Sequence, residues 1–165
     1  MKQSELKAIL KDHKLWLDSH GKQGKRALAG YADLQGVNLC NANLQGADLA
    51  RASLEEANLR GANLARADLR DANLDGVYLR GANLTGANLQ GENLTGADLR
   101  DANLQGVNLA GANLVDAKFT TNFKKVRWFD RASFSEDQLP WVVLHPRYSK
   151  CAHTLKWVKA KADAA

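Results

Sequence analysis

Chemically reactive side chains are few in this 165-residue chain, and their spacing does not bring them together. The four histidines lie near the two ends, at His13, His20, His145 and His153. Cys151 and His153 could share a metal ion, but no further ligand follows at the spacing that metal sites use. Catalysis needs converging groups with tuned acidities, and the sequence has no phosphate-loop motif. We therefore predict that the protein is not an enzyme and has no cofactor or metal site.

The element that positions every other side chain is a repeat of five residues. A leucine stands at each fifth position from Leu34 to Leu114, and Phe119 takes the next place. Ala or Val stands two residues before each of these positions, except at Glu92. Asn, Asp or Ser usually stands directly before the leucine, and Tyr78 departs from this rule. A fixed internal period indicates an architecture before any local propensity is considered.

The period of five excludes both regular secondary structures. In a helix, residues five apart lie about 140° apart, so the leucines would spiral around every face. In a strand, an odd spacing would send successive leucines to opposite faces. A chain that turns a corner every five residues keeps each leucine inside. Four such sides then close one square coil of about twenty residues, and the coils stack.

The pattern A(N/D)LxG, as in Ala42-Asn43-Leu44 and Ala97-Asp98-Leu99, resembles the pentapeptide-repeat family over about half of the chain. The resemblance implies an all-β fold, a right-handed quadrilateral β-helix with the leucines and preceding alanines inside. Asn and Asp suit the turns, and Gly supplies the positive φ that a tight turn needs. Eighteen repeats make about 4.5 coils, and stacking at about 4.8 Å gives a rod about 22 Å long.

The flanking segments are predicted to cover the two ends of the rod. We predict one domain in three parts: a helical N-terminal cap with its lead-in (1–26), the β-helix (27–134) and a helical C-terminal cap (135–165). Apolar residues at helical spacing predict a helix over residues 4–20, which would shield the unpaired first coil. Ser135-Glu136-Asp137-Gln138 fits a capping box that opens a short helix, and residues 149–162 are predicted to form another.

Charge is distributed unevenly along the chain. The net charge is +5, yet residues 31–119 carry −4, and the two ends carry the positive excess. The lysine-rich start cannot be the apolar part of a signal peptide, and no stretch is long enough to span a membrane. Cys40 and Cys151 do not make a disulfide framework. We therefore expect a cytoplasmic protein without a membrane partner.

One outward column is the candidate binding face. Residues twenty apart stack, so Arg60, Arg80 and Arg100 form a column with Tyr78 beside it. Like charges about 4.8 Å apart repel unless they are paired or bridged by an anion. One interpretation is a basic ridge with an aromatic hot spot that grips a carboxylate-rich or phosphate-bearing partner. The alternative is that the arginines pair with neighbouring carboxylates: Asp75, Asp98 and Asp101.

Glu92 occupies a place that belongs to a small inward residue, with Ala72 and Ala112 at the same place in adjacent coils. An unpaired buried carboxylate would be costly. We predict a local irregularity here. Either Gly91 lets the turn deform and the carboxylate swings outward, or Glu92 binds backbone donors.

The C-terminal part is rich in apolar side chains. The candidate self-association residues are Trp128, Trp141, Leu155 and Trp157. Surplus apolar surface favours a homodimer, and the family resemblance implies the same, since pentapeptide-repeat proteins that act on topoisomerases are commonly dimers through this end. The alternative is that these residues form a lid over the final coil.

Three functions compete. The leading hypothesis is a non-catalytic scaffold that presents a rigid face to an unidentified protein partner. The family resemblance implies a second, a DNA mimic that protects DNA gyrase, although a charge of only −4 on the coil weakens mimicry. The third is nucleic-acid binding through the basic stretches 22–26 and 124–127, which would weaken steeply with salt and which we rank last.

Overall fold

The computed structural model describes residues 3–120, 126, 129–135, 138 and 156–158. Its elements are one helix, α1 (Gln3–Asp18), and two short parallel strands, β1 (Ser133–Ser135) and β2 (Lys156–Val158). From residue 27 to residue 120 the backbone turns a corner at every fifth residue and forms no extended strand. The fold is a right-handed β-helix solenoid in which single-residue bridges, rather than long strands, join the coils.

Residues twenty apart stack in register along the solenoid. Parallel bridges join residue i to residue i+20, from Leu28 and Asp48 at the start to Asn113 and Ser133 at the end. On one side, the N–H of Leu39 donates to the carbonyl of Asn58 at 2.8 Å. Because four sides of five residues return the chain to its starting side, each outward column of side chains follows directly from the sequence.

Each corner is a tight turn closed by one hydrogen bond. The N–H of Ala42, for example, donates to the carbonyl of Leu39 at 3.0 Å. The residue two after each core position has a positive φ, as required at the third position of a type II turn. Gly fills most of these corners, and the others hold Tyr31, Asn41, Arg51, Glu56, Arg66, Asp71, Asp101, Asp116 and Arg131. The left-handed conformation costs an L-residue about 1 kcal/mol, which explains why Gly is the commonest choice.

The repeated leucines fill the axis of the rod. Every leucine of the period from Leu34 to Leu114 is at most 2% exposed, and the alanines beside them are buried from Ala47 onward. Full burial of one leucine side chain contributes about 2 kcal/mol. After the regular repeat, Phe129 and Phe134 are also fully buried, and Ser133 keeps the twenty-residue register with Asn113.

Asparagine side chains join successive coils on the outside of the rod. The Oδ1 of Asn63 accepts the N–H of Ala65 at 3.2 Å, which closes its own corner. The Nδ2 of Asn63 donates to Oδ1 of Asn43 at 3.2 Å, and Asn83 does the same to Asn63 at 3.1 Å. Each side-chain amide therefore accepts a hydrogen bond within its own turn and takes part in another with the neighbouring coil. These columns are structural.

Helix α1 is attached to the first coil through both packing and hydrogen bonds. Leu6 belongs to the buried core, and Ile9 and Leu10 pack against it. His13 is fully buried, and its Nδ1 accepts the N–H of Ala27 at 3.0 Å. The helix ends where the N–H of Gly21 donates to the carbonyl of Trp16 at 2.8 Å. Relative to the predicted range 4–20, it begins one residue earlier and ends two residues earlier.

The prediction of a helix over residues 149–162 is wrong at residues 156–158, the part of it that the structure describes. Residues 156–158, which were predicted to be helical, form β2 and pair in parallel with β1. Ser135, the predicted cap of the short helix, is the last residue of β1, and Gln138 three residues later lies in a 3₁₀ turn. The physical reason is that the last coil presents unpaired backbone groups, and a strand can satisfy them directly. The remaining predicted helical residues, except Gln138, lie outside the described part of the chain.

The side chain of Gln138 makes one of the two hydrogen bonds of the predicted capping box. It also binds backbone groups at the end of the rod. Its Oε1 accepts the N–H of Ser135 at 2.8 Å, as a capping-box side chain does. Its Nε2 donates to the carbonyls of Leu114 and Ala117 at 2.8 and 2.6 Å. Since Gln138 is 3% exposed, one buried amide satisfies three backbone groups at the end of the solenoid.

Candidate interaction surface

The outward positions on the side of Leu59, Leu79 and Leu99 form a surface that we call the arginine side. Its central pair is Arg60 and Tyr78, which stand in adjacent coils. The guanidinium carbon of Arg60 lies 4.7 Å from the centre of the Tyr78 ring, and Tyr78 is 39% exposed. This distance is typical of a cation–π interaction. The repeat spacing places these side chains in adjacent coils but does not predict their contact.

The other two arginines of the column are paired with carboxylates. Arg100 donates from Nε and a terminal nitrogen to both oxygens of Asp98, each at 2.8 Å. Arg80 donates from Nε to Asp101 in the next coil at 3.2 Å. The hydrogen bonds from Arg100 hold the pKa of Asp98 below its ordinary value against the opposing effect of burial. The predicted pairing with Asp98 and Asp101 is therefore present, and the repulsion within the column is relieved.

Asp75 is not a partner of these arginines within the described residues, because it stands on the neighbouring side of the coil. Arg60 also has no carboxylate partner among the described residues, and its guanidinium contacts the Tyr78 ring. The arginine side thus combines two neutralised arginines with one exposed guanidinium that contacts an aromatic ring. Such a group can stack on or donate to a second molecule without breaking an ion pair.

A second side carries charge of one sign only. The outward acidic residues on the side of Leu34, Leu54 and Leu74 are Asp33, Glu55, Glu56, Asp75 and Asp116. No Lys or Arg occupies an outward position on this side within the described coils. We call it the acidic side. The net charge of residues 31–119 does not reveal this segregation, because the basic residues of these coils lie on the other sides.

The side chain of Glu92 lies inside the coil and is 1% exposed. Neither carboxylate oxygen has a hydrogen-bond partner in the described part of the chain. The prediction that it swings outward is therefore wrong, while the predicted backbone donors, the amides of Asp71 and Ala72, lie near enough to lower its pKa without meeting hydrogen-bond geometry. The reason is that its corner stays closed, with the N–H of Glu92 donating to the carbonyl of Leu89 at 3.3 Å, so the side chain keeps its inward direction.

Burial raises the pKa of Glu92 to about 8, since the charged form is poorly solvated inside the rod. The negative charges of Asp71 and Asp68 also raise it, while the nearby backbone amides of Asp71 and Ala72 act in the opposite direction. At neutral pH the buried group is therefore mostly the uncharged acid. Its position makes it a local defect of the core and not part of a surface site.

Two of the backbone hydrogen bonds that join successive coils are missing beside Glu92. In equivalent places of other coils, Arg51 donates to the carbonyl of Arg70 at 2.8 Å, and Asn73 donates to the carbonyl of Ala52 at 2.9 Å. The corresponding bonds from Asp71 to Gln90 and from Asn93 to Ala72 do not reach hydrogen-bonding geometry. A local irregularity is therefore present, as predicted, and it lies in the hydrogen bonds between the coil of Glu92 and the preceding coil.

The remaining predicted sites give no further centre within the described residues. Among them, no group of three His, Cys, Asp or Glu side chains is placed to hold a metal ion. No described helix combines the length and the apolar character needed to cross a bilayer. Three of the self-association candidates, Trp128, Trp141 and Leu155, lie outside the described residues. The fourth, Trp157, is described only by its backbone, which belongs to β2.

Comparison with known proteins agrees with this geometry. The family model described as pentapeptide repeats matches in eight copies over residues 32–71, 62–101 and 82–120. A crystal structure of a pentapeptide repeat protein from the Arabidopsis thaliana thylakoid lumen is 27% identical and has a TM-score of 0.57, over 73% of this chain and 77% of that one.

A second pentapeptide repeat protein, from Nostoc PCC 7120, is 26% identical with a TM-score of 0.53, over 90% of this chain and 93% of that one. No curated protein sequence is significantly similar to this chain. The family model alone covers more than half of the sequence, and the stacked corners supply the structural counterpart of its repeat. The chain therefore belongs to the pentapeptide-repeat family.

Proposed function

We propose that this protein is a non-catalytic scaffold that binds a protein partner through the arginine side. The observation that carries the proposal is the exposed stack of Arg60 on Tyr78, flanked by the paired Arg80 and Arg100. Tyr and Arg are the side chains most enriched among residues that dominate binding energy. The stacked coils hold them rigidly, so little conformational entropy is lost when a partner binds.

The experiment compares two matched Arg–Tyr pairs. Arg51 also lies over a tyrosine, Tyr31, with 5.3 Å between guanidinium carbon and ring centre, but this pair stands at a different corner of the rod. A photo-crosslinking amino acid at position 78 should capture one specific partner from the native host, and the same probe at position 31 should not. Tyr78→Ser and Arg60→Gln should each weaken binding of that partner, measured with purified proteins, by about tenfold.

Equal capture at positions 31 and 78 would contradict the proposal, as would a purified partner whose affinity is unchanged by Tyr78→Ser. The variant Tyr31→Ser is the matched control, since it removes a tyrosine that is 73% exposed. It should leave the affinity for the partner unchanged.

The acidic side favours a second candidate, binding to a DNA topoisomerase such as gyrase in place of DNA. Carboxylates repeated along one face of a rod, without interspersed cations, can pair with a surface that normally binds phosphates. A supercoiling assay with purified gyrase, with and without an inhibitor, tests this directly. An effect that disappears when Glu55, Glu56 and Asp75 are neutralised together, but persists in Asp101→Asn, would support it, and no effect of the unmodified protein would exclude it.

Self-association through the C-terminal end remains a proposal. The residues that would carry it lie mostly outside the described chain, so it rests on their apolar character alone. Sedimentation of the full-length protein over a range of concentrations tests it directly, and a concentration-independent monomer would exclude it.

A further inference from the structure

A cleft of 350 Å³ lies between the end of α1 and the solenoid. We call it the helix–coil cleft. Its lining residues are Trp16, Leu17, His20 and Gly21 at the end of the helix, and Gln45, Gly46 and Arg66 on the coils. Its volume lies near the lower end of the range for small-molecule pockets, roughly 300 to 1,000 Å³. The cleft lies on a different side of the rod from the arginine side, because Gln45, Gly46 and Arg66 follow Leu44 and Leu64.

The cleft is kept open by the backbone on both of its walls. Gly46 forms a corner with φ of 67°, and a Cβ added there would meet no atom within 4 Å. On the helix wall, Gly21 has φ of 85° and lies against the Trp16 indole. The Trp16 ring is itself held by stacking on the buried His13, with ring centres 5.6 Å apart. The Trp16 face of the cleft is therefore fixed by packing.

Three hydrogen-bond donors of the cleft have no acceptor within the described residues. Arg66 has no ion pair or hydrogen bond to its guanidinium within the described residues, whereas nearby Arg70 is paired with Asp68 at 2.7 Å. The indole N–H of Trp16 and the side-chain amide of Gln45 are also unpaired in that part of the chain. No carboxylate lines the cleft. An unpaired guanidinium beside apolar walls is complementary to an anion that carries an apolar body.

We propose that the helix–coil cleft binds a small organic anion, a carboxylate attached to a flat apolar group. The carboxylate pairs with the guanidinium of Arg66. The apolar group lies against Trp16 and Leu17, and the Gln45 amide donates to the remaining carboxylate oxygen.

A purely structural role for Arg66 makes the opposite prediction about stability. Arg66 occupies a corner with φ of 58°, in a column that otherwise contains Gly46, Gly86 and Gly106. Gly is the favoured residue in this conformation, so Arg66→Gly should maintain or increase stability while it removes the anion-binding group. Loss of binding in a variant that is at least as stable separates the two roles.

The test is a titration with 3-phenylpropionate, monitored by NMR. The neutral amide of the same compound is the control ligand without the charge. The amide resonance of Gly46 and the indole resonance of Trp16 should shift saturably with 3-phenylpropionate. The neutral amide, Arg66→Gly and Gln45→Glu should each weaken binding by about tenfold, because each removes or opposes one charge-assisted contact. Arg51→Gly, a corner arginine on another side, and Gln35→Glu are the matched controls and should not change the affinity.

Two results would overturn the proposal. One is the absence of saturable shifts up to about 10 mM probe, a concentration at which even a millimolar site would be largely filled. The other is an affinity that is the same for the carboxylate and its amide, or the same in the unmodified protein and Arg66→Gly. The variant Gln45→Glu keeps the test decisive if Arg66→Gly proves poorly soluble.

Discussion

The guanidinium of Arg60 lies 4.7 Å from the ring centre of Tyr78, in the adjacent coil of the solenoid. The arginine that follows Tyr78 two residues later, Arg80, is paired with Asp101. Tyr78 therefore interacts with the arginine of the preceding coil and not with the arginine of its own coil. This arrangement leaves one guanidinium of the column free of a carboxylate among the described residues and makes the pair the centre of the proposed interface.

A double-mutant cycle should detect this pairing in the isolated protein. Arg60→Gln and Tyr78→Ser should show a coupling of about 0.5 kcal/mol in the free energy of unfolding, the usual size for a cation–π contact at an exposed site. Urea denaturation of the four proteins measures it. The same cycle with Arg80→Gln is the control and should give a smaller coupling, since Arg80 is paired with Asp101. A larger coupling to Arg80 than to Arg60 would contradict the observed stacking.

Glu92 should make the protein less stable as the pH rises. Its carboxyl titrates near 4.5 when exposed and at about 8 in the folded protein, so the folded state holds an extra proton between these values. Stability is fully present below about pH 4.5 and falls as the pH rises toward 8, by about 1.4 kcal/mol per pKa unit or several kcal/mol in all. Glu92→Ala restores the small residue of the repeat and should remove this fall. Urea denaturation at several pH values measures it.

The control for the loss of one negative charge is Asp101→Asn, which changes an exposed carboxylate on the arginine side. This variant should retain the fall in stability between pH 4.5 and 8. If Glu92→Ala and the unmodified protein have parallel pH profiles, the carboxyl of Glu92 does not titrate inside the rod. Glu92→Ala should also increase protection of the Asn93 amide against hydrogen exchange, since the ladder bond beside it can then close.

His13 should weaken the attachment of α1 in acid. Burial lowers its pKa below 6.5, the charge of Arg26 lowers it further, and the nearby carbonyl of Gln45 acts in the opposite direction. The unfolded chain therefore binds more protons below pH 6.5, and stability is lost as the pH falls toward the lowered pKa. Protonation of Nδ1 also removes the acceptor for the N–H of Ala27.

Hydrogen exchange measures this effect locally. The protection factor of the Ala27 amide should fall as the pH decreases below about 6.5, the unfolded-state pKa, toward the lowered pKa of His13. The Ala47 amide, which donates to the carbonyl of Leu44, should keep its protection factor and serves as the internal control. Removal of another histidine by His20→Asn should leave the pH response of Ala27 in place, whereas His13→Asn should abolish it. An unchanged response in His13→Asn would assign the effect to a different group.

Gln138 should be the most sensitive position at the C-terminal end of the described coils. Gln138→Leu leaves the N–H of Ser135 and the carbonyl of Ala117 without this partner, while the carbonyl of Leu114 still accepts the N–H of Ala117 at 3.0 Å. Each unsatisfied buried group costs about 1 kcal/mol or more, so the free energy of unfolding should fall by about 2 kcal/mol. Gln105→Leu, at an exposed position, is the matched control and should change stability by less than about 0.5 kcal/mol. Similar losses in both variants would contradict the buried role of Gln138.

Much of the interior was predictable from the sequence because it depends on spacing alone. A leucine every fifth residue cannot remain on one face of a helix or a strand, so the chain must turn a corner at each repeat. Four sides of five residues then stack positions twenty apart, which correctly placed Arg60 and Arg80 in one column. The same argument predicted that Glu92 stands at an inward place, but it could not predict that the carboxyl stays there, because that depends on how firmly the neighbouring coils hold its corner.

Only the tertiary structure decided which groups meet across coils and at the ends. Arg100 binds a carboxylate of its own coil and Arg80 binds one of the next, a difference of side-chain direction that repeat spacing does not specify. The pairing of β2 with β1 depends on the unpaired backbone of the final coil, which a local helical pattern does not reveal. The helix–coil cleft exists because α1 docks at one particular angle beside Arg66. The repeated sequence determined the inside of the rod through its period, and the surface chemistry was decided by packing between segments that are distant in sequence.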